Sequence, residues 1–157
     1  MNLEELTTYL SEKFADKAEL LETGRVEPFY LVKAENILEI CQAVKDDDNL
    51  QINYLCNICA VDTGENFEIV YNLASTAKKI RFDLKITMPY DGASVESVQS
   101  VWPGANWFER EMWELYGIDI KNHGNLKRFL LPDDWDQGNP MLKNWDAPDF
   151  KRLPEVE

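Results

Sequence analysis

Residues 78–88 read KKIRFDLKITM, and this stretch carries the clearest structural signal in the chain. Its apolar residues recur at every second position, namely Ile80, Phe82, Leu84 and Ile86. Such alternation is typical of a strand in a sheet that has one face buried and one face in contact with solvent. The stretch is also the most basic part of the chain. Either a solvated face or contact with an acidic partner would account for its charges.

The segments before this strand predict more strands and two helices. β-branched and aromatic residues, separated by turn residues, predict strands at 18–23, 29–33, 51–61 and 65–74. Apolar residues at spacings of three and four predict amphipathic helices at 3–14 and 35–45. Strands and helices that do not alternate regularly indicate an α+β fold.

The chain changes character after Pro89. Two further helices are predicted there, at 95–101 and 107–116. Asn106 can cap the second helix, with Glu109 three residues later completing a capping box. Gly117 suits the left-handed position that ends a helix.

The segment 118–157 shows little periodicity and contains many Pro, Asn, Asp and Gly residues. We therefore divide the chain into an α+β domain at 1–117 and an extended irregular tail at 118–157. All five tryptophans lie at or after Trp102, and tryptophan is enriched at protein interfaces. A tail without its own core must lay such residues on its own domain or on a neighbouring protein. The sequence leaves both options open.

Composition excludes several functional classes. The chain has 157 residues, with 16 Lys and Arg against 29 Asp and Glu, which gives a net charge of −13. This charge argues against binding to nucleic-acid phosphates or to an anionic membrane surface. No apolar run approaches the length of a membrane span, and the first residues do not resemble a signal peptide. Three cysteines without a disulfide pattern indicate a cytoplasmic setting, and any membrane association would come through a partner.

Two motifs with possible redox or catalytic chemistry are better explained structurally. Cys56 and Cys59 form a CxxC, but on a strand, residues three apart face opposite sides, so we interpret them as half-buried structural thiols. His123 is the only histidine, and no nucleophile can be paired with it. We interpret it as a turn residue with a structural or interface role.

The most suggestive charged cluster consists of Glu109, Arg110, Glu111 and Glu114. A stand-alone hydrolase using Glu109 and Glu111 is one hypothesis, but on a helix the two carboxylates lie about 200° apart. Arg110 and Glu114 are spaced to form an ion pair. An acidic mimic of nucleic acid is another hypothesis, although the basic strand interrupts the negative surface. With no GxGxxG, Walker, HExxH or GxSxG motif, the residues favour an interaction subunit over an enzyme.

Two segments resemble a known family. They are WPGANWFEREMWELYGI at 102–118 and NHGNLKRFLLPDDW at 122–135. Their order is similar to that of the 30 kDa subunit of respiratory complex I. In that family an ERE helix and an aromatic-Gly-Ile break precede a His turn, a basic pair and Leu-Leu-Pro-Asp/Glu-Asp-Trp. The departures are His-Gly-Asn in place of the usual His-Pro-Asp, and Phe129 where an aliphatic residue is common.

The resemblance implies a two-layer α+β domain, with a mixed β-sheet packed by helices on one face and an extended C-terminal tail. It also implies an accessory subunit of the hydrophilic peripheral arm of a complex I-like redox complex, on the cytoplasmic side of the membrane. The implied partners are a hydrogenase-like large subunit of the 49 kDa type and iron–sulfur subunits. Those partners would hold the Fe–S clusters and, in some assemblies, FMN or a Ni–Fe centre. This chain would bind no cofactor or metal.

The family pattern assigns scaffold roles to ten positions. These are Glu109, Arg110, Glu111 and Glu114 on the helix, His123, Lys127 and Arg128 in the following turn, and Leu131, Pro132 and Trp135 at the start of the tail. The same family occurs in energy-converting membrane-bound nickel–iron hydrogenases and formate hydrogenlyase-type complexes. The equivalent subunit of such a complex is therefore the alternative function.

Overall fold

The computed structural model describes residues 1–147, and residues 148–157 of the predicted tail lie outside the described part. A five-stranded sheet forms the centre of the molecule. Its strands are β1 (Ala18–Leu20), β2 (Phe29–Val32), β3 (Tyr54–Asp62), β4 (Asn66–Ser75) and β5 (Ile80–Pro89). The helices are α1 (Leu3–Lys13), α2 (Ile37–Asp46) and α3 (Ala105–Tyr116), and a 3₁₀ turn at Ala34–Asn36 leads into α2. A separate ribbon pairs the short strands β6 (Ser94–Glu96) and β7 (Asp119–Lys121).

The strand order β1-β2-β5-β4-β3 makes the sheet mixed. β2 runs parallel to β5, whereas the other neighbouring pairs are antiparallel. The chain can form the parallel pair because α2 and the hairpin β3–β4 lie between β2 and β5 in sequence. The predicted α+β fold with a mixed sheet is confirmed.

The alternation in residues 78–88 places one face of β5 in the core, as predicted. Leu84 and Ile86 lie opposite Tyr71 and Ile69 of β4, and none of the four is more than 2% exposed. Burial of this apolar surface stabilises the fold by about 25 cal/mol for each Å² removed from water. The same face receives the buried side chains of α1 and α2, which are Leu6, Leu10, Ile37, Ile40, Cys41 and Val44.

The opposite face of the sheet carries polar pairs. Lys85 of β5 pairs with Glu68 of β4, and Arg25 pairs with the buried Asp83 at 2.7 Å. Two of the basic charges near this face are thus neutralised within the chain, including one of those predicted as a solvated or partner-binding face. Lys79 lies before β5 in the preceding turn, with a positive φ of 55°.

The predicted helix at 95–101 is wrong. Residues 94–96 form β6, which runs parallel to β7, and Val98 and Val101 are fully buried in the turns that follow. The spacing of Val95, Val98 and Val101 imitates a helical stripe, but all three face the core from a strand and its adjoining turns.

Part of the predicted irregular tail is regular. Residues 119–121 form β7, and the backbone N–H of Ser97 donates to the carbonyl of Lys121 at 2.9 Å. β7 connects the start of the tail with the segment before α3. The division of the chain at residue 117 remains a prediction. None of the helices within residues 1–147 is long and apolar enough to cross a membrane.

Candidate functional site

The predicted helix at 107–116 forms, but it begins differently. α3 starts at Ala105 after Gly104, and no side chain caps it. Asn106 donates to Gln99 at 3.3 Å, so the predicted capping box with Glu109 is wrong. The predicted end is confirmed, since Gly117 has a left-handed φ of 76° and its N–H donates to the carbonyl of Trp113.

Glu109 is a buried carboxylate that connects α3 to the segment after β6. It is 1% exposed, and it accepts hydrogen bonds from the Ser97 hydroxyl at 2.6 Å and the Val98 N–H at 2.7 Å. Burial raises the pKa of Glu109, although these two hydrogen bonds oppose that effect. Its role is to position the 97–98 turn against α3.

Arg110 holds the loop after β7. Its Nε donates to the carbonyl of Lys127 at 2.6 Å, and Nη2 donates to the carbonyl of Arg128 at 3.2 Å. The guanidinium lies 4.8 Å from the ring centre of Trp107 and 4.9 Å from that of Phe129. The predicted ion pair with Glu114 is therefore wrong, because Arg110 is directed to carbonyl groups and aromatic rings.

Glu114 holds the same loop from the next turn of α3. Its carboxylate accepts from three consecutive backbone N–H groups, those of Phe129, Leu130 and Leu131, at 3.0–3.2 Å. It is only 3% exposed, and a carboxylate can satisfy several donors where water has little access. Arg110 and Glu114 thus complement carbonyl and N–H groups of one loop.

Glu111 differs from its neighbours because it is exposed. Glu109 is buried and bonded to Ser97 and Val98, so the two carboxylates lie in different environments and face no common cleft. This geometry does not support the hydrolase hypothesis.

His123 lies in the turn after β7, as expected. Its side chain is fully buried beside α3, with Nε2 at 3.7 Å from Oε2 of Glu109. The N–H of Asn125 donates to Nδ1 at 3.1 Å. Burial lowers the pKa of His123, and Arg110 adds to this effect, whereas the backbone of Asn106 opposes it.

The remaining predicted positions belong to the loop and to the start of the tail. Lys127 is exposed, and Arg128 donates to the carbonyl of Asp133 at 3.3 Å. The carbonyl of Pro132 accepts from the N–H of Trp135 at 3.1 Å. The Trp135 ring lies 6.1 Å from that of Trp145.

The described part of the tail packs back on its own domain, which is one of the two options that the sequence left open. The N–H of Lys143 donates to Asp62 at 2.8 Å. Asn139 donates to the carbonyl of Glu114 at 3.0 Å, and the N–H of Met141 donates to that of Leu115 at 3.1 Å.

Sequence reasoning missed three residues of this arrangement. Ser97 lay inside the wrongly predicted helix, which concealed its role. Asp62 was visible only as part of a turn, and Asn139 only as one polar residue of the tail. No local signal in the sequence could have paired them with Glu109, Lys143 or Glu114.

Cys56 and Cys59 take no part in the hydrogen bonds of Glu109, Arg110 and Glu114. Cys56 and Cys59 are half-buried thiols of β3, and neither is in a disulfide. The register of β3 shifts between Leu55 and Asn57, where Cys56 is the additional residue. Within residues 1–147, no three His, Cys, Asp or Glu side chains are grouped so that they could hold a metal ion.

Comparisons with known proteins identify a family for this chain. Residues 30–151 match the family model described as respiratory-chain NADH dehydrogenase, 30 Kd subunit. One subunit of the NADH-quinone oxidoreductase of Citrifermentans bemidjiense is 39% identical over 139 residues, covering 87% of this chain and 84% of the relative. One subunit of the F(420)H(2) dehydrogenase of Methanosarcina mazei is 39% identical over 118 residues, covering 74% of this chain and 73% of the relative.

Solved structures share the fold. A trypsin-resistant fragment of Nqo5 superposes with a TM-score of 0.66 at 24% identity, over 77% of this chain and 98% of that one. A chain of the archaeal membrane-bound sulfane sulfur reductase gives a TM-score of 0.70 at 24% identity, over 83% and 77%. The family model spans most of the chain, including α3, the histidine turn and the loop they hold. The chain therefore belongs to the 30 kDa subunit family of the respiratory-chain NADH dehydrogenase.

Proposed function

We propose that this chain is a non-catalytic accessory subunit of the hydrophilic arm of a complex I-like redox complex of the NADH:quinone oxidoreductase type. The observation that carries the proposal is the use of the charged motif. Glu109, Arg110 and Glu114 are occupied by contacts within the chain that hold two segments against α3. A motif used in this way builds a rigid shape rather than a reactive cleft. Rigid shape is what an accessory chain contributes to an assembly.

The partners and cofactors follow from the same proposal. A large subunit of the 49 kDa type and iron–sulfur subunits would contact this chain, and the Fe–S clusters would belong to them. FMN or a Ni–Fe centre would also belong to partner subunits in the assemblies that use one. The chain would reach the cytoplasmic side of the membrane only through these partners. No nucleic acid is expected as a partner, since the net charge is −13.

The hydrogenase alternative is not favoured over this function. The two relatives described above are subunits of an NADH-quinone oxidoreductase and of an F(420)H(2) dehydrogenase. We therefore retain the dehydrogenase type as the proposed assembly.

Affinity purification tests the proposal. The full chain, tagged at its N-terminus, is expressed in its native host and purified from solubilised membranes, and the co-purified chains are identified by mass spectrometry. A hydrogenase-like large subunit and iron–sulfur proteins are the expected partners. Recovery without any redox subunit would contradict the proposal. Metal analysis and electron paramagnetic resonance of the purified chain alone test the cofactor assignment, which an intrinsic cluster would overturn.

A further inference from the structure

An exposed apolar surface lies directly above the buried part of the motif. We name it the aromatic platform, and it consists of Trp107, Phe129 and Leu130, with the buried Arg110 beneath it. Trp107 is 56% exposed, Phe129 is 38% exposed and Leu130 is 52% exposed. The Trp107 and Phe129 rings meet edge to face, with centres 5.2 Å apart. The platform therefore joins α3 and the loop into one continuous surface.

The platform is held rigidly before any partner arrives. The guanidinium of Arg110 packs against both rings and donates to two carbonyls of the loop. Glu114 fixes the N–H groups of Phe129 and Leu130. A rigid apolar surface loses little entropy on binding, and aromatic residues and Arg in such a position commonly dominate an interface.

The charges near the platform indicate the chemistry of the partner. Within residues 1–147, Lys13, Lys17, Arg25 and Lys85 are each paired with a carboxylate. Beside the platform, Lys127 and Arg128 form no ion pair in that part of the chain, as is also true of cations elsewhere such as Lys33 and Lys79. Arg110 is buried and donates to loop carbonyls. Two cations without an ion pair, the exposed Lys127 and the half-buried Arg128, thus lie beside an apolar surface in a protein whose net charge is −13. Such a local excess attracts a carboxylate and orients its approach.

The order of charges along the loop adds a direction. The exposed Lys127 precedes Phe129 and Leu130, and the exposed Asp133 and Asp134 follow them. Lys127 attracts a partner carboxylate at the start of the loop, whereas Asp133 and Asp134 repel one at its end. An apolar side chain next to that carboxylate would then lie over Leu130.

We propose that the aromatic platform is a docking site for a segment of another subunit of the same assembly, in which a carboxylate lies beside an apolar side chain. This inference rests on the proposed function, because it assigns the assembly contact to one surface. The apolar side chain packs on Trp107, Phe129 and Leu130, and the carboxylate pairs with Lys127.

Two variants and a cross-linker test the docking site in the full chain. The double variant Lys127→Glu/Leu130→Ser changes two exposed side chains and is expected to lower recovery of the partner subunits by about tenfold or more. The matched control is Lys33→Glu/Val26→Ser, which alters an exposed cation and an exposed apolar residue away from the platform. A photo-reactive amino acid at position 130, in otherwise wild-type chain, identifies the segment that lies there.

The outcomes separate this inference from the proposed function. A cross-link from position 130 to an acidic and apolar segment of another subunit, together with loss of partners in the double variant alone, supports docking. Unchanged recovery overturns it while the proposed function stands. A cross-link to a second copy, to residues 148–157 of this chain or to a segment without a carboxylate also overturns it. If wild-type chain recovers no redox subunit, the proposed function fails first. Thermal unfolding of each variant checks folding, and the cross-link decides the result if the double variant is unstable.

Discussion

Nε2 of His123 lies 3.7 Å from Oε2 of Glu109, and both side chains are almost completely buried. The distance is too long for a hydrogen bond, and within residues 1–147 Nε2 forms no well-aligned hydrogen bond of 3.5 Å or less. Because Asn125 donates to Nδ1, neutral His123 carries its proton on Nε2, facing the carboxylate. The contact joins the turn after β7 to α3. The protonation state of His123 therefore affects how firmly this turn is held against α3.

We expect His123 to remain neutral to a lower pH than a free imidazole. Burial lowers the pKa of His123 below 6.5, and Arg110 contributes to that shift. The unfolded chain therefore takes up a proton before the folded chain does, and stability is lost as the pH falls from 6.5 through the folded pKa. NMR titration can follow the one histidine of the chain without ambiguity. A measured pKa above 6.5 would mean that pairing with Glu109 outweighs burial.

Replacing Glu114 should loosen the loop that supports the aromatic platform. Glu114→Ala removes the acceptor of three backbone N–H groups, and we expect it to lower the free energy of unfolding by about 2–3 kcal/mol. Urea denaturation measures this change, and hydrogen exchange at residues 129–131 locates it. Glu111→Ala, on the same helix but exposed, should change stability by less than about 0.5 kcal/mol. Equal effects of the two substitutions would contradict the role given to Glu114.

Gly117 is required by both its backbone angle and its surroundings. Its φ is 76°, and a Cβ atom there would lie 2.7 Å from Oδ1 of Asn139. Gly117→Ala should therefore cost about 1–2 kcal/mol for the backbone, plus about 1 kcal/mol if the Asn139 side chain moves aside and loses its hydrogen bond to the carbonyl of Glu114. Gly24→Ala is the control, since Gly24 has a φ of 69° but nothing lies within 4 Å of its Cβ position. Thermal unfolding compares them, and similar losses would show that the approach of Asn139 does not matter.

Asp47 should make stability depend on pH in the acid range. Burial alone would raise its pKa, but hydrogen bonds from Lys13, Tyr9 and two backbone N–H groups lower the pKa to about 2. Its contribution is present above pH 3.8 and is lost as the pH falls through about 2. After allowance for solvent screening, we expect Asp47→Asn to cost about 1 kcal/mol at neutral pH.

Comparing wild type and Asp47→Asn by urea denaturation at several acidic pH values tests this assignment. The difference between the two proteins should shrink as the pH falls. A constant difference would assign the effect of the substitution to packing rather than to charge. Asp48→Asn is the control, because Asp48 is the next residue and is exposed.

Some parts of the site were predictable because their signals are local. The end of α3 follows from Gly117 alone, since a left-handed residue stops a helix wherever it occurs. By contrast, Arg110 and Glu114 are four residues apart and suit an ion pair, yet each binds the loop at 127–131. Backbone groups distant in sequence bind these two charged side chains in place of an ion pair. The helical spacing of Arg110 and Glu114 carries no information about those distant groups.

What the amino-acid sequence by itself determined is the set of buried stripes. The alternation at 80–86 and the helical spacing in α1 and α2 each require one apolar side to leave water, and this requirement produced a sheet covered by helices. The ordered motif from Trp102 to Trp135 likewise identified the family. Only the tertiary structure decided that residues 94–96 pair with β7, which groups Glu109 accepts from, and where the tail lies. Those outcomes depend on contacts between distant segments, whose free energy exists only once the folded chain brings them together.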